Sequence, residues 1–271
     1  MKHSRITISD IAEVMGALGG ESYEELRATF DCVCSEIASK FGLYGPNNHP
    51  RKATIIDAIA NSTCVSCSAR KLSNTGLRQR VDGIYMECHK LAVGTLVEEL
   101  QDKFSKMGFS VLILNEVETE YGRVDVLIKP TNFGVKLQYG INELTVEVKT
   151  GLSLSFSQIF RYLLDRENET IVLWRIRNRQ VLLFRGTHLK PLLMRFMKTC
   201  ILRGERLLAD QTSTCDHPKQ SDWSPTQEEI QAMLDDFAKA LVETLPCVVK
   251  TVFETLEVKE NGADARQAIN E

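Results

Sequence analysis

A chain of 271 residues with 43% apolar and 25% charged side chains can bury the core of one large domain or two modest ones, which excludes wholesale disorder. No apolar run approaches the roughly 18–20 residues needed to cross a bilayer. Met1-Lys2-His3-Ser4-Arg5 leads into mixed polar sequence rather than a secretory signal, so the expected compartment is the cytosol, or the nucleoid if DNA is the substrate. The formal charge of −3 conceals an asymmetry, because between Arg161 and Arg206 eleven Lys/Arg stand against four Asp/Glu. An excess of that kind suggests a basic face able to bind phosphate.

In chain order, residues 1–88 read as a helical N-terminal region. Ser22 and Glu25 have capping-box spacing, and Tyr23, Leu26, Phe30, Val33, Ile37 and Phe41 recur at helical intervals up to Gly42. Residues 45–50 form a loop and 53–60 a short helix. After a polar stretch, a long helix is predicted over 75–107, with Gly108 as its C′ residue. The period then shortens. Strands are predicted over 109–114, 124–128 and 144–149, a helix over 156–165, strands over 170–176 and 180–185, and a helix over 189–209. The class is α/β, a mixed sheet flanked by helices. Residues 210–222 read as a linker. Residues 223–271 read as a C-terminal helical segment that opens on Ser224 as N-cap with Pro225 first, breaks at Pro246 and ends in a frayed tail.

The chemistry-bearing set lies within residues 89–209. In the strand over 144–149, alternation puts Glu147 and Lys149 on one face, while Asp125 belongs to the strand before it. Phosphodiester hydrolysis calls for a hard divalent cation, Mg²⁺ or Mn²⁺, with oxygen ligands and open positions. Asp125, Glu147 and the Val148 carbonyl could supply those oxygens, and the Lys149 ammonium could orient the attacking water or stabilise charge on the phosphate. An acidic-x-Lys triplet alone is common on solvated strand faces. It is the succession of elements that points to a site.

Gly122-Arg123-Val124-Asp125, then Glu147-Val148-Lys149, then Gln158-Ile159-Phe160-Arg161-Tyr162 resembles the PD-(D/E)XK nuclease superfamily over about residues 90–190. The likeness is to members with a trailing Gln-x-x-x-Tyr helix, such as RecB-type and NucS-type nuclease domains. Val124 stands where the eponymous Pro would be. The resemblance implies a restriction-endonuclease-like core, divalent-metal dependence and a DNA substrate. The helix-to-strand lead-in is similar to that of Holliday-junction resolvases, which implies a helix carboxylate, Glu98 or Glu99. It also implies that Gln158 and Tyr162, one turn apart, face the active site or the DNA; from the residues alone, Tyr162 fits the core and Gln158 a boundary equally well.

Arg161, Arg175, Arg177, Arg179 and Arg185 are candidate DNA contacts, although charges that blunt an exposed edge hairpin explain several of them too. Cys64-x-x-Cys67 followed by Cys88-His89 offers candidate ligands for a structural Zn²⁺ against the simpler reading of buried thiols. Paired nicks on duplex DNA usually need two active sites, which makes a homodimer a candidate assembly. The rival to a metal-dependent deoxyribonuclease is a nucleic-acid-binding or assembly protein that keeps the fold without turnover.

Overall fold

The structure, a computed structural model, describes residues 22–45, 48–62, 64–73, 81–130, 143–152, 156–165, 169–209 and 226–256. The predicted linker over 210–222 and the C-terminal tail lie outside them. The first helix, α1 (Tyr23–Phe41), has the capping box read from the sequence: Ser22 Oγ accepts the Glu25 N–H at 3.2 Å and the Glu25 carboxylate accepts the Ser22 N–H at 2.9 Å. Gly42 ends it at φ 65°, a left-handed conformation that costs glycine little.

Two short helices follow, α2 (Lys52–Ala60) and α3 (Val65–Ser73). The latter was not expected from so polar a stretch. At its start the Cys64 thiol accepts the Cys67 N–H at 3.4 Å, which accounts for the C-x-x-C spacing by a helix end. Then come α4 (Val81–Lys106), β1 (Val111–Thr119), β2 (Gly122–Pro130), β3 (Leu144–Lys149), α5 (Phe156–Asp165), β4 (Thr170–Arg175), β5 (Gln180–Arg185), α6 (Gly186–Leu208) and α7 (Gln227–Thr255).

Two helix boundaries differ from expectation for physical reasons. The N-cap of α7 is Thr226, boxed with Glu229, while Ser224 and Pro225 lie outside the described residues. Pro246 does not end α7, which continues to Thr255 because Phe237, Ala240, Leu241, Thr244, Val248, Val249 and Val252 bury one stripe along its length. A proline removes one N–H and strains one turn, and that stripe outweighs the loss.

The five strands form one mixed sheet in the order β1-β2-β3-β4-β5. Neighbours are antiparallel except β3 and β4, which are parallel and joined through α5. The protein is therefore α/β, with seven helices among the described residues. One face of the sheet packs against α1, α2, α5 and α6 through Phe30, Ile37, Ile55, Ile59, Leu163 and Phe196. The other packs against α4 and α7 through Leu96, Leu100, Phe104, Trp174, Val248 and Val252. The helices before residue 88 thus share a core with the sheet on one side, and α7 with it on the other. Gly204 marks how closely α6 crosses α1, since a Cβ there would lie 2.4 Å from Val33 Cγ1. Among the described residues no helix is long and apolar enough to cross a membrane.

Candidate active site

Strands β2 and β3 pair over only three positions, Val126 to Ile128 against Val146 to Leu144. Beyond Val126 they part, and the fork between them holds the buried carboxylates of Asp125 and Glu147. Strand β3 stays anchored on its other side, where Glu147, Val148 and Lys149 run in register with Leu173, Trp174 and Arg175 of β4. The Lys149 carbonyl accepts the Ile176 N–H at 3.0 Å. Glu147 and Lys149 are therefore carried on a strand with little freedom to move.

Asp125 closes the fork. Its Oδ2 accepts the Val148 N–H at 2.8 Å, and its Oδ1 lies 3.1 Å from His89 Nε2. Burial opposes ionisation of Asp125, but His89, the Val148 N–H and Lys149 outweigh it and hold the carboxyl below its usual range. Burial likewise pulls His89 down, while the bond to Asp125 and its charge raise the imidazole above its ordinary value.

Glu147 is fully buried. Burial, then the negative charge of Asp125, push its carboxyl up to about 7, and Lys149 and Tyr162 draw it only part of the way back. Its Oε1 is 2.7 Å from Lys149 Nζ. The amide of Gln158 bridges that pair, accepting from Lys149 and donating to Glu147, and it also donates to the Tyr162 hydroxyl at 3.0 Å. That hydroxyl stands 2.6 Å from Glu147 Oε2 and 2.7 Å from the Arg123 carbonyl, so its one proton serves one of them at a time. Burial, reinforced by Glu147, raises Tyr162 well above an ordinary tyrosine, and it remains a donor.

Asp125, Glu147, Lys149, Gln158 and Tyr162 are thus brought together from β2, β3 and α5. Tyr162 is buried in the core, as the residues alone suggest, and its hydroxyl reaches Glu147. Neither Glu98 nor Glu99 joins them: Glu98 is exposed and Glu99 pairs with Lys103 at 3.6 Å. The face that α4 turns to the sheet carries Ala92, Val93, Leu96, Leu100 and Phe104. His89 extends that stripe one turn towards the helix start, so it, not a glutamate, reaches the fork. The stripe is visible in the sequence, and extending it backwards would have found His89.

The zinc set is not assembled. His89 is at Asp125, Cys88 is buried in the core on the α4 side, and Cys67 accepts from Arg70 at 3.6 Å. Among the described residues, no three or more His, Cys, Asp or Glu are grouped so as to hold a metal ion by themselves. Two carboxylates and a backbone carbonyl need no such group. Both Asp125 oxygens are engaged, yet each carboxylate oxygen keeps a second lone pair. The mutual repulsion of Asp125 and Glu147 is what a divalent cation relieves, and the donor set is one of hard oxygens. The residues fit Mg²⁺ or Mn²⁺.

The candidate DNA arginines are largely occupied. Arg161 is buried against Asp57 at 3.3 Å. Arg175 donates to Gln180 at 2.7 Å and to the Leu152 carbonyl at 2.9 Å. Arg177 pairs with Asp236 at 3.4 Å, and Arg179 with Asp236 at 3.1 Å and Glu243 at 2.7 Å. The β4–β5 turn is clamped to α7 by these pairs, a contact between segments too distant in sequence for local patterns to reveal. Arg185 stands at the start of α6, half-buried.

Against family models, curated proteins and solved structures, this chain has no match.

Proposed function

We propose that this chain is a divalent-metal-dependent deoxyribonuclease with the PD-(D/E)XK arrangement its sequence resembles. The observation that carries the reading is the β2–β3 fork, where Asp125 and Glu147 are buried side by side with Lys149 2.7 Å from Glu147. The succession helix, three antiparallel strands, helix, parallel strand supports it, because that order follows the motifs that the resemblance rests on.

Asp125, Glu147 and the Val148 carbonyl are the oxygens that would hold the cation, and His89, 3.1 Å from Asp125 Oδ1, orients that carboxylate. A cation held there would supply Lewis acidity towards the phosphate and the attacking water. The protein's own part is positional and electrostatic. Lys149, fixed by Glu147 and by the Gln158 amide, presents an ammonium to a phosphate oxygen or to the attacking water. Gln158 and Tyr162 hold the Glu147 carboxylate in place, so it need not reorganise when DNA binds. Burial of the fork strengthens each of these interactions relative to water.

The test is incubation of labelled single-stranded, duplex, splayed and four-way-junction DNA with Mg²⁺, Mn²⁺ or EDTA. Cleavage that needs metal and disappears in Asp125→Ala and Lys149→Ala supports the reading and ranks the substrates. Binding without cleavage, equal in wild type and both variants, would replace it with a nucleic-acid-binding protein.

A further inference from the structure

The β1–β2 hairpin carries a distortion opposite the proposed metal-binding aspartate. Its register is continuous, with Asn115 across from Val126 and Val117 across from Val124. Glu116, the residue between, has φ 52°, a region that a non-glycine side chain enters at a cost. The position it faces on β2 is Asp125.

The kink exchanges the faces of the hairpin. Before it, Ile113 and Ile128 pack towards α4, and Leu114 and Leu127 towards α5. Strict alternation would next turn Glu116 and Asp125, then Glu118 and Arg123, to the α5 side. Instead Val117 and Val124 pack there, and Glu116, Glu118 and Arg123 are exposed. Asp125 is released from the ladder to reach Val148, and Arg123 is turned to the side from which α4 brings His89.

Arg123 is also a wall of the site. Its carbonyl is the one 2.7 Å from the Tyr162 hydroxyl, while its side chain is 54% exposed and pairs with Glu116 at 3.4 Å. A pair so open to water holds weakly. The two non-bridging oxygens of a phosphate can meet a guanidinium bidentately, whereas Glu116 meets Arg123 here through a single exposed contact, so DNA can compete for it. Arg161, Arg177 and Arg179, in contrast, are committed to Asp57, Asp236 and Glu243.

We propose that Arg123 is a substrate-binding residue of this site, its guanidinium leaving Glu116 to grip a backbone phosphate of the DNA strand that enters the fork. The proposal rests on the nuclease reading. It makes Glu116 a competitor of the DNA, and places a sequence-independent contact within about 6–7 Å, two strand residues, of Asp125.

Fluorescence anisotropy of a fluorescein-labelled DNA duplex in EDTA, over a series of KCl concentrations, tests it. Arg123→Ala should bind about tenfold more weakly, and its log K against log salt slope should fall by about one. Arg123→Lys should keep the slope, and Glu116→Gln should bind more tightly than wild type. Urea midpoints establish that each variant is folded. Unchanged affinity and slope in Arg123→Ala, with cleavage intact, overturn the role of Arg123 and leave the nuclease standing. The role is also overturned if Glu116→Gln weakens binding as Arg123→Ala does, since the pair would then be structural. A wild type that neither binds nor cuts DNA overturns both.

Discussion

Strand β2 runs between two polar clusters, one half-buried and one buried, that treat charge in different ways. At the hairpin end, Lys52 Nζ lies 2.7 Å from Asp31 Oδ1, pairs with Glu120 and reaches the Tyr121 hydroxyl at 3.2 Å, and that hydroxyl donates to Asp31 at 2.6 Å. Arg27 stacks over the Tyr121 ring at 4.6 Å. Burial works against both charges, yet their partners prevail: Asp31 is held below an ordinary aspartate and Lys52 above an ordinary lysine. Asp31 and Lys52 both favour their charged states, burial keeps the Tyr121 hydroxyl a neutral donor, and the cluster needs nothing further. In the fork, two carboxylates are neighbours and Glu147 is pushed up to about 7. Opposite charges satisfied by one another describe a structural joint. Two carboxylates kept as neighbours although Lys149 and His89 pair with them describe the site for which we propose a cation.

The largest effect expected is on catalysis. Asp125→Ala and Lys149→Ala should each lower the rate of Mn²⁺-dependent DNA cleavage by about 10²–10³ or more, with circular dichroism unchanged. Wild-type cleavage by Lys149→Ala would break the comparison at once.

The next effect is on stability at the joint. Lys52→Ala should lose about 2–3 kcal/mol in urea denaturation, less than the roughly 3–5 of a fully buried pair because Asp31 and Glu120 keep contact with water. A loss near zero would mean that the joint does not hold α1 and α2 to the hairpin.

Smaller, but more telling, is a difference of sign. In metal-free protein at pH 8, Asp31→Asn should lower the urea midpoint, whereas Glu147→Gln should leave it unchanged or raise it, since function is often kept at the expense of stability. The Asp31 effect also has a pH signature. Its folded carboxyl lies below the unfolded one, so its contribution is present above roughly pH 3.9 and is lost as the pH falls through the lower folded value. The midpoints of wild type and Asp31→Asn, apart at neutral pH, should converge in that acid range. Midpoints that stay apart there would remove Asp31 from the charged network.

The difference between the clusters also explains what the sequence could convey. The grouping of Glu147, Lys149, Gln158 and Tyr162 with Asp125 was what the family likeness implied. Period 2 made Glu147 and Lys149 legible on one strand face, and a spacing of four put Gln158 and Tyr162 on one helix face. The strands and most helices were legible for the same reason. His89 was assigned to cysteines instead, because its meeting with Asp125 depends on how α4 lies across the sheet. Glu98 and Glu99 were drawn in by the family likeness and not by the apolar stripe of their own helix. The joint of Asp31, Lys52, Glu120 and Tyr121 joins residues up to 90 apart, and the arginines of the β4–β5 turn are neutralised by an acidic face of α7 some 60 residues later. The kink at Glu116 leaves no local mark, as glutamate is not a residue that signals positive φ.

The central claim, that the fork is a cation site, is most directly tested by calorimetric titration of Mn²⁺ into metal-free protein at neutral pH, wild type beside Asp125→Ala and Lys149→Ala. The account predicts binding to wild type that is lost in Asp125→Ala and kept in Lys149→Ala, which removes a positive charge but no oxygen ligand. Wild type that takes up no Mn²⁺, or an Asp125→Ala protein that binds it as wild type does, would contradict it.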